Sequence, residues 1–251
     1  MYMADLHTHS TYSDGSLEIG ALVDFYGQLG FGAIAITDHL CEKTGLTGKA
    51  AYLTGRTLTE ENFSSYMAEI QSEAERAWRE YGLLVIPGYE ITKNSLSHRR
   101  SCHFLVLGTT EYLSPENSVE EICLAARAKG ALTIAAHPTH TGRFEPQTYY
   151  LWDRRSTLSQ YIDAWEVASG PHYCEKVQAS GLPVIASSDL HHPAQINSWK
   201  TVFCGPRSQR NLFDRIRNQD LSVIRYRKSD SWISSKIPRR GAWGLPVQES
   251  L

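Results

Sequence analysis

The sequence predicts an α/β barrel in a single domain, and three observations carry that expectation. Short apolar runs alternate with amphipathic helical patterns about seven or eight times, which implies a largely parallel sheet. No Gly-rich phosphate fingerprint accompanies these units, which favours a closed or nearly closed barrel over an open, doubly wound sheet. His, Asp and Glu residues also stand at the C-terminal ends of several strand-like runs, where α/β barrels build their active sites.

The elements follow in order. Met1-Tyr2-Met3-Ala4 reads as a short strand leading into DLHTHSTYSDG (5–15). A helix with Leu22, Phe25, Tyr26 and Leu29 on its apolar face precedes the strand-like GAIAIT (32–37). From Glu60 to Tyr81 apolar residues recur at helical spacing, and LLVIPGYEI (83–91) and HFLVLG (103–108) are strand-like. A helix over about 117–129 leads to ALTIAAHP (131–138); YIDAWEV (161–167), LPVIASSD (182–189), TVFCG (201–205) and LSVIRY (221–226) complete the strand set, with helical patterns near 172–180 and 207–218. No Gly-, Pro- or Ser-rich linker divides the chain, so one barrel domain is expected over 1–228, with a surface tail over 229–251.

At 251 residues and 28.2 kDa the chain is long enough for one such barrel. Its 25 Lys and Arg balance 27 Asp and Glu, which argues against a basic nucleic-acid footprint over the whole surface. No apolar run reaches membrane-spanning length, and no charged region followed by an apolar stretch marks a secretory signal. The five scattered cysteines contain no CxxC pair; a reducing cytoplasmic compartment without disulfides is expected.

Five separated segments bring metal-binding side chains to one rim. His7 and His9 follow the first strand, His39 follows the second, Glu90 ends PGYE, His137 ends ALTIAAH, and Asp189 and His191 end PVIASSDLH. His103 opens its strand. Only about a dozen residues separate it from Glu90, too few for a parallel crossover; a hairpin-like pairing would return His103 to the same rim. His7 and His9, two apart, can reach one metal, and Asp14, beside the turn at Gly15, can reach a neighbouring one. Asp5 is read as an acceptor that orients a histidine ring.

This set of segments resembles the PHP family (polymerase and histidinol phosphatase), metal-dependent phosphoesterases with a distorted, TIM-like (β/α)7 barrel. HTHSTYSDG is similar to its first motif, TDH to its second, and AAHP and SDLH to later ones. The resemblance implies a first metal on His7, His9 and Asp189, with Glu90 bridging to a second that His103 and His137 complete. Asp14, His39 and His191 would hold a third. Glu90, Asp189 and His191 are then the catalytic candidates. Mixed imidazole and carboxylate donors suit two or three zinc, manganese or iron ions.

The chemistry so implied is direct hydrolysis of a small phosphomonoester, such as a nucleotide, a sugar phosphate or histidinol phosphate, by a metal-bridging hydroxide. No membrane partner is expected, nor a nucleic-acid polymer, and the oligomeric state stays open. Candidate phosphate contacts are Arg143, Arg99, Arg100 and Lys200, with Arg143 foremost because TGR follows His137 closely. His140 is either an acid or a solvent-facing residue. Residues 41–59 emerge after His39 and are expected to hang over the rim, as a lid or as a plain long loop. Tyr149, Tyr150, Trp152 and Trp199 are either packing residues or a ring-stacking surface. The alternatives are an amidohydrolase-type C–N hydrolase, a non-catalytic polymerase-associated PHP module, and, within the family, a 3′ exonuclease or a bisphosphonucleotide phosphatase.

Overall fold

The computed structural model describes residues 1–95, 97–139 and 148–228. The strand-like runs form one curled eleven-stranded sheet: β1 (Tyr2–Asp5), β2 (Ala33–Ile36), β3 (His39–Cys41), β4 (Leu84–Lys93), β5 (Cys102–Leu107), β6 (Leu132–Ala135), β7 (Ala164–Ser169), β8 (His172–Tyr173), β9 (Val184–Ser187), β10 (Trp199–Phe203) and β11 (Ser222–Arg225). Strands β1, β2 and β4 pair in parallel, as do β6, β7 and β9. Between these groups β5 runs antiparallel to both β4 and β6. The open seam between β9 and β1 is stitched above the strands, where His9 N donates to Leu190 O (2.9 Å) and Leu190 N to His7 O (3.3 Å). The result is a distorted seven-stranded α/β barrel, extended past β1 by β10 and β11.

Alternation along the strands divides the apolar residues between two layers. One set, including Leu6, Ala35, Ile86, Leu105, Leu107, Ile134 and Ile185, fills the interior and is closed at the base by Leu212, Phe213 and Ile216 of α8 (Gln209–Asn218). The other set, including Ile34, Val85 and Phe104, packs beneath α1 (Ile19–Gln28), α3 (Glu60–Tyr81) and α4 (Val119–Ala128). Helix α3 spans the predicted residues because its ends are well specified. Thr59 accepts from Asn62 N in a reciprocal capping box, and Gly82 leaves the helix at φ +60°.

Three expectations change. Residues 41–59 are not a plain loop: they contain Cys41 of β3 and the eight-residue helix α2 (Leu46–Leu53). The pattern near 172–180 resolves into the hairpin strand β8 and a single turn, α7 (Glu175–Gln178), because Gly170 turns the chain back at φ +55°. Short helices α5 (Tyr149–Asp153) and α6 (Arg155–Leu158) precede β7, and there Tyr150 and Trp152 pack against the core. All five cysteines are unpaired. Among the described residues no helix is long and apolar enough to cross a membrane. The tail over 229–251 lies outside the described residues.

Candidate metal centre

The inward face of several strands changes character along its length. On β4 it carries Ile86 and then Glu90; on β5, running the other way, Leu107, Leu105 and then His103. Thr92 pairs with His103 and Glu90 with Leu105, so the antiparallel pair does return His103 to the rim. The short strand β3 lies parallel to β4 and sets His39 directly across from Glu90. His137 and Asp189 both take positive φ, 28° and 53°, a costly backbone that turns their side chains toward the rim. In the first loop a Cβ on Gly15 would lie 2.2 Å from His9 O, so only glycine lets the chain fold back this closely just after Asp14.

All nine expected donors converge. Glu90, fully buried, is the hub: Oε1 lies 3.4 Å from His7 Nε2, 3.2 Å from His103 Nδ1 and 3.4 Å from His137 Nε2, while Oε2 lies 2.6 Å from His39 Nδ1. Asp189 Oδ1 is 3.1 Å from His9 Nε2 and 3.3 Å from His7 Nε2. Asp14 Oδ1 is 3.1 Å from His191 Nε2 and 3.5 Å from His39 Nε2. Donor atoms close within 4.8 Å of one another as His9, Asp14, His39 and His191; as His7, His137 and Asp189; as His7, His9 and Glu90; and as His39, Glu90 and His103.

Five of the six imidazoles point one nitrogen into this cluster and turn the other toward an outer partner; His39 presents Nδ1 to Glu90 as well as to Thr92, and Nε2 to Asp14. His7 Nδ1 meets Glu166 Oε1 (3.0 Å), His103 Nε2 meets Asn94 Oδ1 (2.9 Å), and His191 Nδ1 meets Asp189 O (3.0 Å). His39 Nδ1 lies 2.8 Å from Thr92 Oγ1, His137 Nδ1 3.3 Å from Thr148 Oγ1 and His9 Nδ1 3.5 Å from Ser13 Oγ. Five inward atoms are left without partners: His7 Nε2, His103 Nδ1, Asp14 Oδ1 and both Glu90 oxygens are buried with no hydrogen bond, while His9 Nε2 meets Asp189 Oδ1 (3.1 Å). Buried polar atoms normally find partners. Here they face one another around common points, the arrangement expected of metal ligands steadied by outer hydrogen bonds.

The electrostatics follow from this crowding. Burial would raise the Glu90 carboxyl, but His103, His39 and His7 hold it well below its ordinary range. Asp189 is lowered in the same way against its burial, chiefly by His7 and His9. Burial, with His191 and His39 beside it, pushes His9 down to about 3. His191 rises to about 9 although burial opposes it, because Asp14 and Asp189 favour its charged form. Burial lowers His103, whereas His7, His39 and His137 rise against their burial through the adjacent carboxylates. At neutral pH the rim therefore offers ionised carboxylates interleaved with imidazoles.

Two expectations are corrected. Asp5 orients no histidine; it accepts from Tyr26 Oη (2.7 Å), Ser188 N (2.9 Å) and Ser188 Oγ (2.5 Å), and lies 3.1 Å from Lys200 Nζ. Lys200 is accordingly no phosphate contact: it is fully buried in that ion pair and also donates to Ser198 Oγ (2.6 Å). The orienting carboxylate is instead Glu166 on β7, whose Oε1 meets His7 and whose Oε2 accepts from His137 N (2.7 Å). Asp38 of TDH was also unassigned by sequence; it accepts from Ser10 N, Ser10 Oγ and Ser13 Oγ and so braces the first loop.

Of the other proposed anion contacts, Arg99 and Arg100 do not line the cleft into which the donors open. Arg99 is exposed, 3.9 Å from Asp153, and Arg100 lines a neighbouring groove with Thr47, Asn94 and Ser97. Arg143 and His140 lie outside the described residues. The donors open into a cleft of about 920 Å³, lined by Asp14, His39, His103, His137, Asp189 and His191. Ala50, Ala51, Thr54 and Arg56 line the same cleft, so the 41–59 segment borders it.

Residues 5–175 match the PHP domain family. Among solved structures the fold resembles that of a two-domain Bacteroides vulgatus protein described as containing a predicted PHP-like metal-dependent phosphoesterase, with TM-score 0.68 and 22% identity over 90% of this chain. The chain spans 65% of that protein's length. It also resembles PsfC from Pseudomonas syringae PB-5123 (TM-score 0.55, 16% identity, covering 90% of this chain and 91% of that one). An amidohydrolase from Chromobacterium violaceum with bound sulfate and no metal gives TM-score 0.52 and 17% identity, covering 90% and 98%. At such identities these likenesses concern the fold. No curated protein is similar enough to match. With the family match extending over more than half of its length and its donors gathered on one rim, the chain belongs to the PHP domain family.

Proposed function

We propose that the chain is a metal-dependent phosphoesterase that hydrolyses small phosphomonoesters. The observation that carries this reading is the gathering of six imidazoles around the buried Glu90 carboxylate, five of them tethered through one nitrogen and turned inward through the other. His7, His9 and Asp189 would hold one ion, and His103 and His137 a second, with Glu90 between them; Asp14, His39 and His191 would hold a third. Zinc, manganese or iron, when bound, would polarise phosphate oxygens and lower the pKa of water.

The protein's own part is positional. Glu166 fixes His7 with its proton on Nδ1, leaving Nε2 as the donor, and Asn94 does the converse for His103. Three divalent ions would outweigh the charge of the carboxylates Asp14, Glu90, Glu166 and Asp189, so the loaded rim would attract an anion and stabilise charge developing at phosphorus. An amidohydrolase reading is less well supported, because among the described residues no lysine lines the cleft into which the donors open, and buried Lys200 is committed to Asp5.

The test is p-nitrophenyl phosphate turnover by purified protein before and after chelation, with zinc, manganese or iron added back. The expected result is turnover that chelation removes and one of these metals restores. Turnover that persists in metal-free protein, or none after reloading, would contradict the proposal.

A further inference from the structure

Resting on the phosphoesterase reading, we propose that Arg56 binds the phosphoryl oxygens of the substrate, the role the sequence suggested for Arg143, Arg99, Arg100 and Lys200. Among the described residues, Arg56 is the one arginine or lysine lining the cleft into which the rim donors open. Its guanidinium is exposed and has no ion pair or hydrogen bond there, whereas Lys200 is neutralised by Asp5 and Arg99 faces Asp153.

The backbone around Arg56 is tied to the rim. Leu58 N donates to His39 O (2.7 Å), Thr57 Oγ1 donates to the same oxygen (3.1 Å), and Cys41 N donates to Thr57 Oγ1 (2.9 Å). Thr57 and Leu58 are both buried, so these bonds are shielded from water. On its other side Arg56 N donates to Ala51 O (2.9 Å), closing the end of α2. Arg56 is thus anchored on both sides, next to a chain segment bonded to the backbone of a rim histidine, while its side chain is unconstrained. An unpaired guanidinium lining the same cleft as the metal donors is suited to bidentate contact with phosphate oxygens. It would grip the oxygens that the rim leaves free and orient phosphorus toward it.

The experiment compares wild type, Arg56→Ala and Arg56→Lys, with Arg210→Ala as a control at an exposed position of α8, at the barrel's base. Three quantities are measured: KM and kcat for p-nitrophenyl phosphate, inhibition by inorganic phosphate, and bound metal. A lost hydrogen-bonded pair between charged groups predicts a KM and a phosphate inhibition constant raised about 10- to 100-fold in Arg56→Ala. Bound metal should be unchanged, Arg56→Lys should restore part of the loss, and Arg210→Ala should match wild type. Unchanged KM and phosphate inhibition in Arg56→Ala, with wild type active, would overturn the assignment. So would a loss that tracks metal content. A wild type that neither turns over the ester nor binds phosphate when metal-loaded would overturn the phosphoesterase reading itself, and the assignment with it.

Discussion

The two ends of the central strands obey opposite rules on one face. At the base, Ile86, Leu105, Leu107 and the α8 side chain of Phe213 are buried among apolar neighbours. That burial stabilises the fold by roughly 25 cal/mol per Å² of apolar surface removed from water. At the rim, the same face carries Glu90 and His103, and both Glu90 oxygens and His103 Nδ1 are buried without hydrogen-bond partners. Each such atom costs on the order of 1–3 kcal/mol. Stability and chemistry are therefore separated along the strand axis, with the base supporting a rim that is unfavourable until its donors are satisfied.

The sharpest way to break this comparison is at Glu90. Glu90→Ala should abolish p-nitrophenyl phosphate turnover while far-ultraviolet circular dichroism and a cooperative thermal transition persist, since it removes a rim hub and leaves the base intact. At the other end, Phe213→Ala should cost about 3–5 kcal/mol in urea denaturation, as a large buried aromatic does. The protein that remains folded should keep its kcat. Equal damage to stability from both variants would erase the distinction.

Much of this arrangement was legible in the sequence, for identifiable reasons. Ligands at strand ends could be read because period-two runs set both the end of a strand and its direction, and the short 90–103 spacing excluded a parallel crossover. Glu166 was missed because it sits inside an apolar run, AWEVAS, instead of at its end; the available signal was a lone charge in a buried strand, which needs a partner. Lys200 misled because nothing local distinguishes an exposed lysine from one paired with Asp5, nearly two hundred positions away. Arg56 gave no sequence signal, since its place depends on how residues 57 and 58 fold back onto His39.

Glu166 offers a finer test, because it belongs to the rim without facing the cluster centre. Glu166→Gln should weaken metal binding about 10- to 100-fold, read by titration with a chromophoric chelator, with a smaller loss of stability than Phe213→Ala. Unaltered metal affinity would show that the outer bonds do not set the donors.

The smallest expected effect is in pH dependence. In the metal-free protein His191 titrates near 9, above the roughly 6.5 of an unfolded chain. Its contribution to stability is therefore fully present below about pH 6.5 and is lost as pH rises toward about 9. His9, lowered to about 3, acts in the opposite sense; its contribution is lost as pH falls below about 6.5. Metal competes with protons for the same nitrogens, so metal-derived stability should grow with pH. Thermal midpoints of chelated and loaded protein should diverge between pH 6.5 and 9. Parallel midpoints would argue against shared sites.

The central claim is that the rim holds divalent cations, and equilibrium dialysis of chelator-stripped protein against zinc, followed by metal analysis, tests it most directly. The expected result is about two to three ions per wild-type chain, with fewer in Glu90→Ala. Less than one ion per folded wild-type chain, or the same number with and without Glu90, would contradict it.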